Sequence, residues 1–123
     1  MEQNIKGKIP QLAARYFHGQ EGYNCAQSVL AISHELIGTT DNDISQGAAW
    51  GGGRAENGYC GALYGALSLC PKEQHDEIIT EFNKRVGATK CREIRPNGLK
   101  PCRECVAIGS EIVIERLSNI SNK

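Results

Sequence analysis

Glycine decides where this chain can be regular. Apolar side chains recur every three or four residues in several runs, and each run is cut off at Gly19 and Gly22, Gly38, Gly51-Gly52-Gly53, Gly58 or Gly87. No stretch alternates with period two for long enough to build a strand. Residues 9–19 read as a first helix, with Ile9, Leu12, Ala13, Tyr16 and Phe17 at helical spacing. Asn24 suits the N-cap of a second, in which Cys25, Val29, Ile32 and Leu36 share one face. Asp41 to Trp50 reads as a short helix capped by Asp41 or Asp43. Residues 59–70 give another, with Cys60, Leu63, Leu67 and Cys70 on one stripe and Gly61, Ala62, Gly65 and Ala66 as small steps on which a second helix can pack closely. Pro71 stops it. Glu73 to Val86 follows as a charged amphipathic helix with Ile78, Ile79, Phe82 and Val86 inward, and Pro101 opens a last helix with Cys102, Val106, Val113, Leu117 and Ile120 as its core face. The expectation is all-α: a single domain over 1–123 of five to six short helices with tight small-residue packing.

A chain of 123 residues, 40% of them hydrophobic, can build one core without obligatory staples. Fourteen Lys+Arg balance fourteen Asp+Glu, so the chain lacks the basic footprint by which nucleic-acid binders neutralise phosphates. No apolar run approaches the roughly 20 residues of a membrane span, and the N-terminus carries no apolar signal core. The reading is a soluble, cytoplasmic protein with no nucleic-acid partner and no membrane span.

Six cysteines are the outlier. In a reducing compartment a surplus of cysteine points to metal or redox chemistry rather than to permanent bridges, although any single one, Cys70 above all, can equally be a small buried hydrophobe. Cys25, Cys60 and Cys102 fall in the first turns of three different helices, facing inward, where unpaired amides and the helix dipole favour a thiolate. Cys91 lies between Lys90 and Arg92. The stretch 84–103 holds seven of the fourteen basic residues against the single acid Glu93; it reads either as a solvated face or, through Arg92 and Arg103, as a further influence favouring thiolates at Cys91 and Cys102.

Cys102-Arg103-Glu104-Cys105 has the spacing of thiol–disulfide motifs and of one zinc knuckle. His18, His34 and His75 do not supply a second knuckle, so zinc would need ligands gathered from separate helices. Gly51-Gly52-Gly53-Arg54 invites a phosphate-loop reading, but no strand precedes it and neither phosphate-binding glycine pattern fits. Ser28, Ser33 and Ser68 lack a His/Asp arrangement for nucleophilic catalysis.

Tyr23-Asn24-Cys25-Ala26-Gln27, Gly51-Gly52-Gly53-Arg54 leading to Cys60-Gly61-Ala62-Leu63-Tyr64-Gly65, Cys91-Arg92-Glu93-Ile94 and a helix beginning at Cys102 together resemble the C_GCAxxG_C_C family over about residues 10–118. That prokaryotic family is described as redox-active from four shared cysteines and from its occurrence near transporter or oxidoreductase genes. The resemblance implies that Cys25, Cys60, Cys91 and Cys102 are the shared four, with Cys70 and Cys105 as additions. Cys105 leaves open whether the working pair is Cys91 with Cys102 or Cys102 with Cys105.

The leading expectation is therefore a thiol-based redox protein, an oxidoreductase or electron carrier, in which Cys25, Cys60, Cys91, Cys102 and Cys105 supply dithiol/disulfide chemistry to a redox partner protein, with no cofactor required. The first alternative is a metal or iron–sulfur protein with Cys25, Cys60, Cys91 and Cys102 as ligands to zinc or a cluster. The second is a non-catalytic accessory protein of a transporter or oxidoreductase system. The small-residue helix faces also suit a homodimer.

Overall fold

The computed structural model describes residues 7–20, 22–38, 44, 47, 58–90, 93–94 and 102–121. Among them are five α-helices and one short 3-10 helix, with no strand beyond two isolated bridges: α1 (Ile9–Tyr16), α2 (Cys25–Ile37), α3 (Gly61–Leu69), the 3-10 turn Lys72–Gln74, α4 (His75–Val86) and α5 (Cys102–Ser121). The all-α expectation holds. The helix expected over 41–50 and the glycine run at 51–53 lie outside the described residues, apart from Ile44 and Gly47. No described helix is long and apolar enough to cross a membrane.

Each boundary has a local cause. Asn24 caps α2 as expected: its side chain accepts from the Gln27 amide at 2.8 Å, while the Gln27 side chain accepts from the Asn24 amide at 3.1 Å. Gly38 and Gly87 close α2 and α4 in left-handed conformations with φ of 69° and 106°. The first helix is shorter than expected, because the chain turns extended at Phe17 and pairs with Tyr23 in a bridge. Pro71 stops α3 as expected, but the next segment starts as a 3-10 turn and becomes α-helical only at His75.

Helices α2, α3 and α5 form the centre, with α1 against α2 and α5 and α4 against α5. The expected stripe of α2 is inward, with Val29 and Ile32 fully buried, yet Ala26, Leu30 and Ala31 on its other sides are buried too. Two covers the periodicity did not reveal contribute: Gly65 of α3 lies against Ala26, and Gly47 sits against Gln27 and Leu30, its carbonyl accepting a 3.0 Å hydrogen bond from the Asn24 side chain.

The small residues of α3 are used inside the chain. A Cβ on Gly65 would stand 3.1 Å from the Ala26 carbonyl oxygen of α2, and one on Gly109 of α5 would stand 2.9 Å from the Ala62 carbonyl oxygen of α3. On the outer side, Arg85 of α4 pairs with Glu81 at 2.7 Å and reaches across to Glu111 and Glu115 of α5 at 3.1 and 3.5 Å. Burial of Ile78, Phe82 and Val86 carries most of the α4 attachment, since partly exposed ion pairs each contribute at most about 1 kcal/mol.

Helix propensity alone makes Gly109→Ala stabilising by about 0.5–1 kcal/mol. Backbone crowding at 2.9 Å reverses the sign, because overpacking costs about 1–3 kcal/mol and a carbonyl on a packed helix has no rotamer to escape into. Gly109→Ala should therefore unfold at lower urea than the parent chain, by circular dichroism, whereas Gly7→Ala, with open space around its Cβ, should not.

Candidate thiol site

The N-terminal ends of three helices bring cysteines together. Cys25 is the first residue of α2, Cys60 the N-cap of α3 and Cys102 the first residue of α5. Cys105 lies one turn into α5, and is almost wholly buried. The close approach of Gly109 to Ala62 explains the convergence: it stands one turn beyond Cys105 and two residues beyond Cys60, so it draws the opening turns of α5 and α3 against each other.

The thiols of Cys60 and Cys105 hydrogen-bond to one another, and Cys25 and Cys102 are near enough to act electrostatically on Cys105. All five described cysteines are thiols. Cys91 is outside the described residues. The segment that leads to it is tied to the site, since the Cys60 amide donates to the Thr89 carbonyl at 2.8 Å and Tyr59 bridges Lys90.

The pair is electrostatically unequal. The hydrogen bond from Cys105 holds the Cys60 thiol down to about 7 against the opposing effect of burial, and the amides of Ala62 and Leu63 at the start of α3 add to the lowering. Cys60 makes no conventional side-chain cap. A neutral thiol is a weak acceptor, so these amides favour the site chiefly once it carries charge. Cys105 is pushed the other way, first by its hydrogen bond to Cys60, then by burial, then by the charges of Cys60, Cys25 and Cys102. One proton shared between two adjacent sulfurs accounts for both directions.

Arg103 is exposed and is not among the groups acting on Cys60 or Cys105, and Arg92 lies outside the described residues. Cys70 caps the far end of α3, where burial raises its thiol to about 11 despite nearby Arg116. It stands apart from the site. Among the described residues no three Cys, His, Asp or Glu side chains are close enough together to hold a metal ion.

Sequence reasoning placed Cys102 on the core face of the last helix and missed how deeply Cys105 is buried. The spacing Cys105, Gly109, Ile112, of four and then three, was the available signal.

Thiolate absorbance should show a step centred near pH 7, the charged form growing as pH rises. Cys60→Ser should abolish it. Cys105→Ala should move it toward the ordinary thiol value of about 8.5, since the donor is lost. Cys70→Ser should leave it in place.

The family described as "Putative redox-active protein (C_GCAxxG_C_C)" matches residues 23–116. No curated protein and no solved structure matches the chain. The matched region opens two residues before Cys25, takes in Cys60, Cys91, Cys102 and Cys105, and runs almost to the end of α5; the chain belongs to the C_GCAxxG_C_C family.

Proposed function

We propose that the chain is a thiol-based redox protein whose Cys60 and Cys105 cycle between dithiol and disulfide. The observation that carries this reading is the contact itself: two buried sulfurs hydrogen-bonded across a helix–helix junction, one near pH 7 in its ionisation and its neighbour held protonated. Oxidation joins the two sulfurs, releases the remaining protons and passes two electrons to an acceptor; reduction reverses it. Ionised Cys60 is the nucleophilic partner, and the proton retained on Cys105 keeps the reduced pair from carrying two adjacent negative charges. Cys25 belongs to the same cluster by its effect on Cys105. The family description supports redox activity in general terms.

Mild oxidation of the purified chain should remove two hydrogens reversibly, and peptide mapping should place the bridge between Cys60 and Cys105. Cys60→Ser and Cys105→Ser should each abolish the bridge, while Cys70→Ser should not. A native mass above that of the apo chain by zinc or an iron–sulfur unit, lost on replacing a single cysteine, would overturn the dithiol reading in favour of a ligand set. Thiols that neither bridge nor alkylate at neutral pH would overturn it in favour of an accessory role.

A further inference from the structure

A disulfide cannot be exchanged with another molecule unless an incoming sulfur can reach one of its members. Cys60 is 5% exposed and Cys105 only 1%, and Cys25 and Cys70 are each at 8%. Of the described cysteines Cys102 alone is partly exposed, at the first residue of α5. It precedes Cys105 by three residues on the same helix. By the rise and radius of an α-helix their Cα atoms lie about 5 Å apart, inside the range of about 4.4–6.8 Å that a disulfide spans. Cys105 thus lies among three sulfurs: Cys60 across the junction with α3, the buried Cys25 of α2, and on its own helix Cys102, the one of the three that is partly exposed.

We infer that Cys102 is the exchange thiol of the site, taking oxidising equivalents from a partner's disulfide at the surface and passing them through Cys105 to the buried Cys60–Cys105 pair. This deepens the dithiol reading and rests on it. In the first step the Cys102 thiolate attacks a sulfur of the external disulfide; a Cys102 mixed disulfide forms and one partner thiolate leaves. Cys105 then gives its proton to the Cys60 thiolate and attacks the Cys102 sulfur, forming a Cys102–Cys105 disulfide and expelling the second partner thiolate. That thiolate takes the proton back from Cys60, which attacks the Cys105 sulfur. The Cys60–Cys105 bond forms and Cys102 leaves as a thiolate. The partner's disulfide is reduced to one thiolate and one thiol, the buried pair has lost two electrons, and Cys102 is regenerated as a thiolate. The hydrogen bond between Cys60 and Cys105 is the path for the proton of the middle step, which the resting pair holds on Cys105. The partner class is a disulfide with a reachable sulfur, on a protein or on a small molecule.

Oxidised glutathione added to the reduced full chain is the test, with hydrogen peroxide as an oxidant that needs no exchange thiol. In the parent chain both should yield the Cys60–Cys105 bridge. Cys102→Ser should slow bridge formation by glutathione disulfide by about tenfold or more, because access to the attacked sulfur is lost, while peroxide still yields the Cys60–Cys105 bridge. Cys105→Ser should arrest the reaction as a glutathione mixed disulfide mapped to Cys102. Parent-rate bridging by glutathione disulfide in Cys102→Ser, or a trapped adduct on Cys91 or Cys25, overturns the relay alone. Absence of the bridge with either oxidant in the parent chain overturns the dithiol reading, and the relay with it.

Discussion

Three helices approach one another through bare backbone. Gly65 of α3 lies against the Ala26 carbonyl of α2, and Gly109 of α5 against the Ala62 carbonyl of α3, at separations where an added methyl would meet main-chain oxygen. Side chains usually hold helix axes about 8–10 Å apart, and contacts through glycine and alanine reduce that distance. Much else in the molecule depends on this. The opening turns of α3 and α5 can share a hydrogen bond between two sulfurs only because nothing larger than hydrogen separates the helices one turn further along.

The same packing sets the electrostatics. A thiol at a helix start has its pKa lowered modestly by nearby amides, and burial alone would raise it. At Cys60 these effects oppose one another, and the neighbouring sulfur decides the outcome by donating its hydrogen. The consequence falls on Cys105, which keeps its own proton when Cys60 ionises. Cys70 serves as the internal comparison: it sits at the C-terminal end of α3, where no helix amides point at it, and burial prevails. Two cysteines at the opposite ends of one short helix are thereby driven in opposite directions.

The helices and their ends were largely legible. Asn24, Gly38, Pro71 and Gly87 act locally, so their effect is visible in the few residues around them. The burial of α2 on nearly all sides was not, because it depends on residues distant in the chain, Gly47 against Leu30 and Gly65 against Ala26 among them. The thiol site was legible as a set of residue types at helix starts and not as a geometry. Cys102 and Cys105 lie three residues apart, and periodicity favoured the first as the core residue, whereas the crossing of α5 over α3 places the second against Cys60.

From the sequence alone came the all-α class, the helix caps, the small-residue face of α3 and the concentration of cysteines at helix N-termini, because each depends on residues within one or two turns of one another. Which sulfur meets which, and which carries the charge, depends on the crossing of helices more than forty positions apart. Only the tertiary structure decided that Cys60 and Cys105 meet, that Cys70 stands at the far end of α3, and that Cys102 stays partly exposed while Cys105 is buried.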